Sequence, residues 1–169
     1  MERVSLADGS WTRLCHQWEH ECDSFGEAFD EFTPASFSVL DDLARGTPFA
    51  NAGVFAASND NDYVAAFHAN VAFLPNYEGK VLRIRHIVFA PRYDLDPNMK
   101  MEDYAGILVA VFAGAIILSN DVMAAPHIKF HLRSPVERQY GDLFTKALNV
   151  HEVFKEATMQ GAWIYVSKI

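Results

Sequence analysis

The residues of this sequence best suited to chemistry alternate along three short apolar runs: His68 and Asn70 in the first, Arg83 and Arg85 in the second, His127, Lys129 and His131 in the third. Side chains two apart on a strand leave the same face. The register that segregates polar from apolar positions sets His68 and Asn70 beside Arg83 and Arg85, and the third run extends the patch if its direction is compatible. Unbroken alternation also groups Arg83 and Arg85 with Ile87 and Phe89, opposite Leu82, Ile84, His86 and Val88. Guanidinium and ammonium groups on one face suit a carboxylate or phosphate, so Arg83, Arg85, Asn70 and Lys129 are the candidate ligand-binding residues. Arginine stays protonated and cannot take a proton from an amine. Imidazole titrates near neutrality, so His68 and His131 are the candidate bases. A solvated sheet face, or ion pairs to acidic helices, would produce the same pattern.

Composition limits the partners. The chain has 169 residues, 50% hydrophobic and 21% charged, which suits a folded domain able to stabilise itself without metals or disulfides. Its 22 acidic residues against 14 basic ones give a net charge of −8, so nucleic acid is not an expected partner. The polar start, MERVSLADGSW, is neither a secretory signal nor a transit peptide, and a cytoplasmic protein is expected. Residues 104–120 carry no charge but are bracketed by Asp103 and Asp121 without basic flanks, so the expectation is a helix buried on nearly all sides and no membrane partner. Cys15 and Cys22, about 10 Å apart along a helix, read as core residues. His16-Gln17-Trp18-Glu19-His20 matches an inverted zinc-peptidase pattern, but the histidines flank the apolar stripe and no third ligand follows, so no metal is expected.

Several elements position these residues. Trp11, Leu14, Cys15, Trp18, Cys22 and Phe25 recur at helical spacing behind Ser10 as N-cap. Thr33-Pro34 opens a second helix with the face Phe37, Leu40 and Leu43, ended by Gly46. Strand-like runs at 50–58, 63–74 and 80–90 are separated by turn-rich tetra- and pentapeptides. The uncharged helix, a strand at 127–132, a helix from Ser134-Pro135 bearing Val136, Tyr140, Leu143, Phe144 and Ala147, and a strand at 161–167 complete the order, with a further strand expected within 150–159.

This order, with a short strand at 3–6 and the step Phe89-Ala90-Pro91 after Arg85-His86-Ile87-Val88, resembles the GNAT superfamily of acyl-CoA-dependent acyltransferases over nearly the whole chain. The resemblance implies a single α/β domain spanning 1–169: a GNAT-like mixed, mostly antiparallel sheet that splays after the fourth strand, with helices on both faces. It implies acyl-CoA as co-substrate, lying along Ile87, Val88 and Phe89, with Arg92 and Gly106 at its pyrophosphate. The family's Q/R-x-x-G-x-G/A loop is absent, however. Gly106 is the single glycine of residues 92–106, and Asp103 falls where Gln or Arg is expected. The family's base positions hold Arg83 and Arg85. The family's tyrosine, seven residues after a polar step, is matched by Tyr140 following Arg133, which implies a proton donor to the leaving thiolate; a core aromatic is the other reading. The expected function is therefore N-acyl transfer from a CoA-type thioester to an amine of a small, anionic acceptor. The alternative is a non-catalytic module of the same fold that binds a small acidic ligand or a partner protein, and a homodimer is a further expectation. A hotdog-type thioesterase fits the paired leading helices less well.

Overall fold

The structure, a computed structural model, describes every residue except Pro34, Pro48, His151, Glu152 and Val153, and the side chain of Val136. Helix α1 (Ser10–Phe25) forms where apolar residues recur every third or fourth position, and it buries Trp11, Leu14, Trp18 and Cys22. Its N-cap is Gly9 at φ 77°, not Ser10. Ser10 lies inside the helix, its N–H donates to the Asp8 carboxylate at 2.9 Å, and its Oγ accepts from the Ser5 N–H at 2.9 Å. The aspartate two residues upstream therefore takes over the capping role. Phe25, expected on the buried stripe, is exposed at the helix end.

Strand β1 (Glu2–Val4) precedes α1; α2 (Phe29–Phe32), α3 (Ala35–Arg45), β2 (Ala52–Asn59), β3 (Asp62–Phe73), β4 (Lys80–Phe89), α4 (Arg92–Leu95), α5 (Met101–Asn120), β5 (His127–His131), α6 (Pro135–Val150), β6 (Phe154–Gln160) and β7 (Trp163–Lys168) follow. The strands hydrogen-bond in the order β1-β2-β3-β4-β5-β7-β6. Pairing is antiparallel at β1–β2, β5–β7 and β6–β7 and parallel at β4–β5. The mixed α/β class expected from the sequence is thus present. Thr33 closes the unforeseen α2, and the expected Pro34 helix start lies outside the described residues.

The chain forms two compact units, each built from two segments: residues 1–68 with 86–107, and residues 69–85 with 108–169. In the first, Trp11, Leu14, Trp18, Phe37, Leu40 and Ala44 of α1 and α3 pack on Val4, Val54, Ala56, Ala66 and Val88 of the strands and on Ala90 just past β4. The opposite strand face is aromatic: Phe55 stacks on Phe67 with centroids 6.3 Å apart, and Phe89 meets Tyr104 of α5 at 4.7 Å. Helical residues therefore cover both faces in this unit. The Trp18 indole N–H and the Gln17 amide both donate to the Tyr63 carbonyl at 3.0 Å, tying α1 to the start of β3.

In the second unit, Phe112 of α5 meets Phe130 of β5 at 4.7 Å and Phe144 of α6 at 4.4 Å. A Cβ on Gly141 would press on the side-chain tips of Leu132 and Ile164, so α6 packs closely here and a larger residue would require those two side chains to shift. That close approach rotates α6 from its expected face: Leu143 is exposed, as is Ala147, while Glu137 and Thr145 are buried. Leu43 of α3 is likewise exposed. Helix α5 also departs from expectation. Leu108, Val111, Phe112, Ala115 and Leu118 are buried, but Val109 is 50% and Ile117 64% exposed, because the helix covers the strands with one stripe and nothing among the described residues covers the other. By length and composition it could cross a membrane, with mean hydropathy 1.8.

Candidate functional site

The expected binding residues of the second unit come together on one strand face. Arg83 stands opposite Lys129 in the β4–β5 register, Lys129 opposite Tyr165 in β5–β7, and Tyr165 opposite Thr158 in β6–β7. The next row is His131, Trp163 and Gln160. Paired residues share a face, and the aromatic cover of Phe112 and Phe144 over Phe130 lies on the other side. Lys129 Nζ sits 4.7 Å from the Trp163 centroid and 4.6 Å from that of Tyr165, which holds the ammonium in place by cation–π attraction. The His131 ring lies 4.5 Å from Trp163. Arg85 Nη2 donates to Asn70 Oδ1 at 3.3 Å.

Cations gather at the Arg83–Lys129 end of this face, and Glu156 stands in the row of Ser167 and His127. Burial, then the charge of Arg83, holds the Arg85 guanidinium below its ordinary value. Burial, with Arg133 and Arg85 adding to it against an opposing Glu137, lowers His131 from 6.5, so its imidazole is neutral at pH 7 and can accept a proton. Arg83 Nε is buried with no hydrogen-bond partner. Among the described residues no ion pair neutralises Arg83 or Lys129. A cavity of about 590 Å³ opens alongside, lined by Lys129 and Lys155, by Glu78 and Glu156, and by Tyr77 and Tyr165 among others. His127 forms part of its wall, donating or accepting at Ser167 Oγ (2.9 Å) and meeting the Glu78 carbonyl at 3.0 Å. Arg83, Arg85 and Lys129 suit the anionic group of a ligand, and the cavity of mixed charge suits its polar remainder.

The strand face is not the simple alternation read from the sequence. His68 is buried, and its ring lies 6.4 Å from that of His86. His68 and Asn70 share a face of β3, yet Arg85 reaches Asn70 and His86 neighbours His68. Two consecutive residues of β4 therefore turn the same way, and His86 has φ 54°. This is a bulge, and it corrects the grouping of Arg83 and Arg85 with Ile87 and Phe89: beyond His86 the parity is reversed, with Val88 packed under α1 and α3. Strand β4 pairs with β5 from Val81↔His127 to Ile84↔Phe130 and itself continues to Phe89. Nothing in the sequence announces a positive φ at a histidine.

Four other expected residues have definite places. Ile87, Val88 and Phe89 are buried on β4 beyond the bulge. Tyr140 is half-buried on α6, in the same unit as Arg83, Arg85, Lys129 and His131. The start of α6, expected at Ser134-Pro135, is a reciprocal cap: the Glu137 N–H donates to Ser134 Oγ at 3.0 Å, and the Glu137 carboxylate accepts from the Arg133 and Ser134 N–H groups at 2.6 and 3.2 Å. This fixes the polar step that precedes Tyr140.

Arg92 is engaged by two carboxylates. Its Nη2 lies 3.5 Å from Glu21 and its Nη1 3.3 Å from Asp62, and its backbone N–H donates to Glu21 at 3.3 Å. Gly106 is exposed on α5, and a Cβ there would meet nothing within 4 Å, so no close approach requires glycine. The residues present at this segment do not fit the pyrophosphate of CoA. His16, Glu19 and His20 are exposed on α1, and no metal-holding group of His, Cys, Asp and Glu occurs among the described residues. Burial pushes the thiols of Cys15 and Cys22 up to about 11, leaving them protonated.

No family model matches the sequence, and no curated protein matches it. Among solved structures, the chain is similar to the aminoglycoside acetyltransferase meta-AAC0020 from an uncultured soil metagenomic sample, in crystal structures with sisomicin and with trehalose. Each match has 14% identity and a TM-score of 0.41, and covers 95% of this chain and 90% of the other.

Proposed function

We propose that the protein transfers an acyl group from a thioester to the amine of a small acceptor bearing a carboxylate or phosphate. The observation that carries the acceptor class is the uncompensated Arg83–Lys129 pair across β4 and β5, with Arg85 and His131 on the same strand face. What supports acyl transfer is the order of elements, with parallel β4 and β5 joined through α5 and a bulged β4 that continues past the Ile84↔Phe130 pair. In this reading Arg83, Arg85 and Lys129 hold the anion, Asn70 orients Arg85, and the polar cavity takes the rest of the acceptor. The amine nitrogen attacks the thioester carbonyl carbon, its proton passes to neutral His131, and the carbon–sulfur bond breaks. The departing thiolate takes the Tyr140 phenol proton, an effect worth about 10²- to 10⁴-fold.

The second reading, a non-catalytic module for an acidic ligand, is favoured by one observation: Arg92 is held by Glu21 and Asp62. Incubation with acetyl thioesters and a panel of acidic, neutral and cationic amines separates the two. Thiol release with acetylated product from acidic amines supports transfer. Saturable binding of acidic amines without thiol release supports the module.

A further inference from the structure

We infer that the acyl donor is recognised through its thiol arm alone, because the segment after β4 is electrostatically closed to a nucleotide diphosphate. This rests on the acyl-transfer reading above. Residues 92–106 carry Asp94, Asp96, Glu102 and Asp103 against Arg92 and Lys100. Arg92 is already engaged by Glu21 at 3.5 Å and Asp62 at 3.3 Å, so Lys100 is the cation left over in that segment. The cleft beside it, about 340 Å³, is lined by Asp60, Asp62 and Asp103 together with Arg92 and Tyr93. Helix α5 does present its first N–H groups, but Glu102 and Asp103 in its first turn already complement that end. A diphosphate brought here meets carboxylates on several sides.

A donor without that group meets no such opposition. The chemistry that fits is an acylated pantetheine-type arm, carried either by a small free thioester or by a carrier domain. Calorimetry on the intact chain with acetyl-CoA, S-acetylpantetheine and adenosine 3′,5′-bisphosphate tests this. The two thioesters are expected to bind within about threefold of each other, and the nucleotide not at all. Acetyl-CoA binding more than about 30-fold tighter, or competitive binding of the nucleotide, overturns the inference while leaving acyl transfer intact. The Glu102→Gln/Asp103→Asn variant alters only exposed first-turn side chains. It should gain acetyl-CoA affinity severalfold with S-acetylpantetheine unchanged; no gain refutes the electrostatic cause. An acylated carrier domain that outcompetes S-acetylpantetheine identifies the carrier as the source, and equal binding identifies the free thioester. If no thioester binds while acidic amines still do, acyl transfer itself fails, and this inference with it.

Discussion

Replacing Arg83 by methionine should weaken anion binding and at the same time stabilise the protein. Arg83 stands opposite Lys129 in register and two residues from Arg85, so its backbone lies about 5 to 7 Å from those of two like-charged residues. At about 7 Å, one such pair costs about 0.6 to 2.4 kcal/mol for effective dielectric constants of about 80 to 20. Arg83 is half-buried, which favours the lower part of that range, so relief of about 1 kcal/mol is expected. Methionine also removes the buried, unpartnered Nε and keeps an apolar stem of similar length. For a chain of this size the gain corresponds to a melting temperature higher by about 2 to 4 °C. The same substitution removes a charge-assisted hydrogen bond to the ligand, about 1.5 to 3 kcal/mol, or roughly 10- to 150-fold in affinity. Scanning fluorimetry and calorimetric titration with glutamate and inorganic phosphate give both numbers. A lower melting temperature with unchanged titration would show that Arg83 is instead a structural ion-pair partner, and would refute the argument.

Further expectations follow from the same geometry. His131 is depressed below 6.5 by burial and by Arg133 and Arg85, so the acid limb of kcat/KM should lie below pH 6.5 and move up in Arg85→Met. Because the folded value is the lower one, the neutral imidazole's contribution to stability is complete above about 6.5 and is lost as pH falls through the folded value, which an NMR titration of the ring protons measures. Lys168 Nζ donates to the Ser119 carbonyl at 2.7 Å, to Ser119 Oγ at 3.1 Å and to Asn120 Oδ1 at 2.7 Å, closing the end of α5. Lys168→Met should cost about 1 to 3 kcal/mol in denaturant unfolding without changing ligand titrations. Tyr140→Phe keeps the ring and removes the donor. Turnover should fall at least about tenfold with acceptor affinity and melting temperature preserved, whereas unchanged turnover would make Tyr140 a packing residue.

The order of elements was legible because helical and strand periodicities are strong in Trp11 to Cys22 and in β3 and β4. The basic face was legible too, since Arg83, Lys129 and His131 follow from alternation and register. Three features were not. The bulge at His86 depends on a backbone angle that the residue type does not signal. The capture of Arg92 depends on Glu21 and Asp62, which are 71 and 30 residues away in the chain. The rotation of α6 follows from the close approach of Gly141 to Leu132 and Ile164, where the apolar pattern of Leu143 and Ala147 pointed elsewhere. Local patterns set the elements, and long-range pairing decided which side chains remained available for a ligand.

The most direct test of an anion-recognising acyl transfer is the ratio of kcat/KM for an acidic amine to that for its amide analogue, glutamate against glutamine being the first pair to try. The account predicts a preference for the acid of at least about 30-fold in the natural sequence, collapsing to within about threefold in the Arg83→Met/Arg85→Met variant. Equal rates for acid and amide in the natural sequence, or a preference that survives in the variant, would contradict it.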